Sequence, residues 1–180
     1  MLSRRRAVAV LAITFACVGV PRVSAQEKQM FFSFHVGSAH PLQTLDSLAD
    51  ANIHVHIDWS YEFGRQMDDV RRFNAKLIVG FNQFTAEPFV PVAHPHWTNI
   101  SANLQVVWTL GGTGLRGYLQ AGPGYYLPKS GSADLGFNVG LGLQVPLSAP
   151  FALEFGLDIH QIQTDDPVRF YTTQIGVLFR

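Results

Sequence analysis

The chain contains one cysteine, Cys17, which falls among the first twenty of its 180 residues. Downstream of it no disulfide or thiolate site is available, whatever compartment the protein occupies. Long apolar runs are scarce too: beyond residue 20 none reaches the roughly 20 residues a transmembrane helix needs. Positive charge is short. Four of the thirteen Lys and Arg residues (Arg4, Arg5, Arg6, Arg22) precede Gln26, whereas all thirteen acidic residues follow it. From Gln26 onward nine basic residues therefore face thirteen acidic ones, a net charge of −4 that argues against a nucleic-acid partner.

The first segment accounts for much of what the rest lacks. Arg4-Arg5-Arg6, an apolar run over 7–20 and Val23-Ser24-Ala25 have the order of a secretory signal peptide, cut after Ala25. Ser3-Arg4-Arg5 resembles a twin-arginine signal, but that route carries folded cargo, which a membrane barrel cannot be. The expected organisation is a signal peptide over 1–25 and one domain over 26–180.

The stretch 51–63 organises that domain. Ile53, Val55, Ile57, Trp59, Tyr61 and Phe63 alternate without exception with Asn52, His54, His56, Asp58, Ser60 and Glu62. A period of two places these sets on opposite faces of a strand, and its length meets the roughly nine to eleven residues a tilted strand needs to cross a bilayer. Seven further alternating segments are expected near 29–37, 71–84, 100–110, 115–125, 134–145, 151–159 and 169–180. Pro123 interrupts the fifth, where a bulge is expected because a closed barrel has no free edge to excuse a missing donor.

Eight strands with short connections predict an all-β, antiparallel up-and-down barrel, with the apolar face turned either inward or outward. The polar faces are mainly Gly, Asn, Ser, Gln and Thr, which suits a lumen better than a water-exposed exterior. Connections after strands two, four and six are short or moderate, whereas those after one and three are long, the asymmetry of outer-membrane barrels. Phe32, Trp59, Tyr61, Phe63, Phe73, Trp108, Phe151 and Phe179 gather toward one set of strand ends. Phe81, Tyr125, Phe137 and Tyr171 gather toward the other, giving two interfacial girdles.

Ala121-Gly122-Pro123-Gly124-Tyr125-Tyr126 and the closing Gln174-Ile175-Gly176-Val177-Leu178-Phe179 complete the pattern. The chain resembles the small eight-stranded outer-membrane barrels of the OmpA-like and opacity-type family over essentially all of 26–180. One departure is Arg180 after the terminal aromatic, which family members use as an assembly signal. The resemblance implies a transmembrane β-barrel in the outer membrane of a Gram-negative-type bacterium, with both termini periplasmic. Its implied partners are outer-membrane lipids including lipopolysaccharide, and the outer-membrane insertion machinery.

An eight-stranded barrel is only wide enough for side chains, so inward polar groups must satisfy one another. With Phe63 opposite Arg71, Tyr61 meets Phe73 and Ile57 meets Leu77, while lumenal ion pairs Glu62–Arg72 and Asp58–Lys76 form, with Arg116 and Glu154 close in depth. All seven histidines map to the outer half or outer loops. His35, His54, His56 and His160, with Asp158, could hold Zn, Cu or Ni, although hydrogen-bonded filling is the simpler role and no cofactor or metal is assigned. The expected function is non-enzymatic, structural or binding, through loops 38–50 and 87–96, where Phe89, Val90 and Val92 suit contact with an extracellular ligand. A lipid A-modifying enzyme and a narrow channel are the alternatives. His160 lacks a serine two residues on, so it does not form the nucleophile and base such an enzyme needs. A monomer is expected.

Overall fold

The computed structural model describes residues 30–179 apart from 43–44, 47–48, 69–70, 87–94 and 130. The expected leader, Arg180, Phe89, Val90, Val92 and His94 lie outside the described residues. Eight long strands form one closed antiparallel barrel: β1 Met30–Leu42, β2 Asn52–Asp68, β3 Arg71–Gln83, β4 His96–Thr109, β5 Arg116–Pro128, β6 Asp134–Ser148, β7 Phe151–Ile162 and β8 Val168–Phe179. Each pairs with its sequence neighbours, and β1 closes the ring against β8. We call the end where β1 begins and β8 finishes the near rim, and the opposite end the far rim. A short ladder of Ala49–Asp50 with Thr85–Ala86 joins two of the far-rim connections.

The apolar face points out. Leu104 is 65% exposed and Leu141 57%, whereas Asp58 and Glu154 on the opposite face are 0% exposed. A continuous exterior of leucine, valine and isoleucine on a closed sheet is the surface hydrocarbon chains cover. At the near rim Phe32 packs edge-on to Trp59 (5.7 Å), and Phe179 bridges Phe32 (6.2 Å) and Phe151 (5.3 Å) as one aromatic belt. Leu141 lies at the centre of β6, while Leu147, 60% exposed, lies near its end. Leu141→Arg is therefore expected to cost about 2–4 kcal/mol, and Leu147→Arg only about 0–1 kcal/mol, in urea unfolding from lipid vesicles. Equal costs at the two positions would place the bilayer elsewhere.

Three details differ from the sequence expectation. First, Phe63 faces Phe73 rather than Arg71, Tyr61 faces Ala75, and Ile57 faces Val79. The hairpin accommodates an irregularity between Phe63 and Asp68, which slides the register by two residues. A slip of two keeps every side chain on its own face, so burial does not oppose it as it would a slip of one.

Second, Pro123 makes no bulge. The β4–β5 ladder skips Ala102 and Asn103 opposite Gly122 and Pro123, then resumes in unchanged register, while Pro123 stays paired to Phe137 on the other side. The Gly122 carbonyl accepts a hydrogen bond from Asn138 Nδ2 (3.3 Å). Third, β1 runs to Leu42, well beyond residue 37, so the first long connection is shorter than the 38–50 expected.

Apolar side chains also turn inward at both ends. Phe31, Ala152 and Leu178 form a small buried cluster at the near end of the lumen, and Ala39, Leu45, Ala49, Phe84, Tyr126, Ile162 and Phe170 form a larger one at the far end. The alternation of greasy and wet positions holds through the membrane-spanning middle, whereas at the near rim apolar residues occupy both faces, Phe31 and Leu178 inside and Phe32 and Phe179 outside.

Candidate functional site

The space between these two clusters is filled by polar side chains. Glu62 Oε2 lies 3.5 Å from Arg72 Nη1, and Asp58 Oδ2 lies 3.0 Å from Lys76 Nζ. Neither pair is directly cross-strand: Glu62 faces Asn74, and Lys76 faces Ser60. The two-residue slip places each partner on a diagonal, which the long Arg and Lys side chains span. Glu154 joins the same group, with Oε1 3.7 Å from Lys76 Nζ. Arg116 is half-buried near Arg72 and Glu62. Between these two layers sits a cavity of about 10 Å³, bordered by Glu62, Arg72, Asn74, Lys76, Gln105 and Gln144. It is the size of a single water.

Toward the far rim the lumen becomes an amide network. Gln120 and Gln174 each donate to Asp158 at 2.8 Å, and Asn103 and Asn138 exchange hydrogen bonds at 2.6 and 3.2 Å. His54 Nδ1 contacts Asn82 Oδ1 (2.7 Å), and its Nε2 contacts His56 Nδ1 (2.9 Å). Tyr118, 1% exposed, lies over Gly142 and Gly156, where any Cβ would collide with its ring or hydroxyl. A narrow lumen holds a tyrosine only if facing positions give up their side chains.

The four candidate histidines divide. His35 and His56 stack at 4.2 Å between centroids, and His54 adjoins them. His160 is not part of this group: its Nδ1 is 2.9 Å from the Tyr126 hydroxyl, and its ring stacks on Phe170 at 4.6 Å, inside the far-rim cap. The physical reason is tilt. The hydrogen-bonded row through His35 runs from His56 on β2 to Gly176 on β8 and meets β7 at Glu154, six positions before His160.

The outer face holds a pair that the sequence reading passed over. Ser38 Oγ lies 2.7 Å from His40 Nε2 and 2.9 Å from Thr173 Oγ1, and the His40 ring stacks on Tyr171 at 4.6 Å. Both belong to the outward-facing set of β1, in its far-rim half. The spacing Ser-x-His on one strand was the available signal. It was missed because 38–50 was read as loop, where parity assigns no face.

A closed eight-stranded ring with a hydrocarbon-like exterior and a packed polar lumen defines a small transmembrane β-barrel. No protein-family model matches the chain, and no characterised protein matches its sequence significantly. Among solved structures it is similar to Neisserial surface protein A (NspA), with a TM-score of 0.61 and 14% identity over 86% of this chain and 99% of that one. The outer membrane enzyme PagL aligns with a TM-score of 0.53 and 10% identity, covering 83% of this chain and 99% of PagL. OprG from Pseudomonas aeruginosa gives 0.52 and 13%, covering 85% of this chain and 97% of OprG. At these identities the likeness is one of fold: the chain has the architecture of the small eight-stranded outer-membrane barrels.

Proposed function

We propose that the protein is a non-enzymatic barrel of a bacterial outer membrane, its termini periplasmic and its far rim turned outward as a binding or surface-stabilising platform. The observation that carries this reading is the far-rim cluster. Leu45 and Ala49 from the first long connection pack with Phe84 at the end of β3 and Phe170 of β8, and the Ala49–Asp50 ladder ties that connection to Thr85–Ala86. Connections pinned to a buried core are held ready for contact, with less ordering entropy left to lose on binding. The lumen beneath is packed with polar side chains and capped at its far end, which weighs against a channel.

A second reading, a lipid-modifying enzyme, is favoured by the Ser38–His40 pair. Ser38 Oγ lies 2.7 Å from His40 Nε2 on the outer surface, the spacing of a nucleophile beside its base. Among the described residues no carboxylate pairs with the His40 ring, so the third member of such a triad is lacking, and this reading ranks second. Mass spectrometry of lipid A from cells with the protein, without it, and with Ser38→Ala separates the two. Identical spectra are expected. Acyl chains lost or gained in a Ser38-dependent manner would replace the platform by the enzyme, and stepwise conductance in planar bilayers would replace it by a channel.

A further inference from the structure

The middle of the lumen carries an arrangement that filling alone does not account for. His56, His35, Gly176 and Glu154 form one row across β2, β1, β8 and β7, with Asp58 two residues along from His56 on the same face. Gly176 is what joins the row, since a Cβ there would lie 2.5 Å from His35 Nδ1 and block the ring. His35 Nε2 is 3.5 Å from Asp58 Oδ2 and 3.8 Å from Glu154 Oε2, and His56 Nε2 is 3.6 Å from Asp58 Oδ2.

These separations are long for hydrogen bonds. They are close to the roughly 3.3 Å edge of a tetrahedron whose ligands stand about 2.0–2.1 Å from a zinc ion. Both ring nitrogens of His35 and both carboxylate oxygens of Glu154 are buried and make no hydrogen bond, and His35 is 0% exposed; Asp58 Oδ2 is held by Lys76 at 3.0 Å.

Charge points the same way. Asp58, Glu154 and Asp158 are buried in this layer and the one above, against the single ammonium of Lys76. With Glu62, Arg72 and Arg116 of the adjoining layer included, four carboxylates face three cations, an excess of one negative charge that a bound cation would offset. His56 Nδ1 is already engaged by His54 Nε2 at 2.9 Å, which leaves Nε2 as the atom turned toward Asp58. A metal-bound imidazole donates from its other nitrogen; in that tautomer His56 Nδ1–H donates to His54 Nε2, whose 3.0 Å contact with Gln174 Oε1 is then given up.

We propose that His35, His56 and Asp58, whose ligand atoms lie within 4.8 Å of one another, form a binding site for a divalent transition-metal ion, zinc by the chemistry of imidazole and carboxylate, with Glu154 swinging in from beside His35 as the fourth ligand. Binding opens the His35 and His56 rings from their 19° stack so that both Nε2 atoms converge. Lys76 gives up its 3.0 Å contact with Asp58 Oδ2 and keeps Glu154 Oε1, an oxygen the ion does not need. His54 positions His56, and His160, enclosed with Tyr126 and Phe170, takes no part. The far-end cap closes one way in, so the ion reaches the site while the barrel assembles or past the partly exposed Glu62–Arg72 pair at the near end.

The test is refolding of the untagged chain from urea into detergent micelles with zinc or with a chelator, followed by dialysis and elemental analysis. The expected content is about one zinc per folded chain, and a tetrahedral visible spectrum when cobalt replaces zinc. His35→Gln with His56→Gln should abolish both, His160→Gln should leave both unchanged, and His54→Ala should weaken binding about tenfold or more. Folding of each variant is read from its heat-dependent gel mobility. No retained zinc in the wild-type chain, or equal zinc in the double variant, overturns the site. If the double variant does not fold, the wild-type cobalt spectrum decides: an octahedral, water-rich form overturns the proposal.

Discussion

Lys76→Met is expected to destabilise the metal-free barrel by about 3–5 kcal/mol. Methionine keeps much of the volume of the lysine stem but removes the ammonium that lies 3.0 Å from Asp58 and 3.7 Å from Glu154. Both carboxylates are 0% exposed, so no solvent replaces the lost partner. Lys76 also sits 5.8 Å from the centroid of the Tyr118 ring, a further favourable contact for a cation that a thioether does not reproduce.

Urea unfolding in the presence of chelator, followed by tryptophan fluorescence, measures the loss as a lower midpoint at constant slope. Adding Asp58→Asn should recover much of it, because the cost comes from the uncompensated charge rather than from the pair itself. A change below about 1 kcal/mol would mean that Asp58 and Glu154 already carry protons or another cation.

Phe170→Ala is expected to cost about 3–5 kcal/mol and to loosen the far rim before the barrel. Phe170 is 0% exposed and is the hub of the far cap: it stacks on His160, meets Phe84 edge-on at 5.4 Å, and lies 6.4 Å from Trp97 and 6.5 Å from Tyr126. Removing the ring leaves a void that strands held in a closed ladder do not collapse to fill. Limited proteolysis should then cut the connection between Leu42 and Asn52 faster than in the wild type while the strands stay intact. Unaltered cleavage would show that the cap does not hold that connection, and the platform reading would lose its main support.

Much of this molecule is legible along the chain. The alternation in 51–63 assigns each side chain its face, and Asp58, Glu62, Arg72 and Lys76 all turn inward as that parity requires. The same reading goes astray wherever two strands must be compared. It put Arg71 opposite Phe63, and the hairpin irregularity before Asp68 moved that partner to Phe73. It grouped His160 with His35 by distance along the strands, whereas the hydrogen-bonded row from His35 arrives at Glu154. It treated 38–50 as loop and so overlooked Ser38 beside His40.

The amino-acid sequence by itself determined the number of strands, the outward apolar face and the inward set of charges, because a period of two is a local property of an extended backbone. The Asp58–Lys76 pair was legible in the sequence, but only the closed ring decided the other inward meetings: the His35–His56–Asp58–Glu154 group, and Phe170 against His160. Those meetings depend on register and strand tilt. Both are properties of the whole circumference, and sliding a strand by two residues changes every contact without moving a single side chain to the other face.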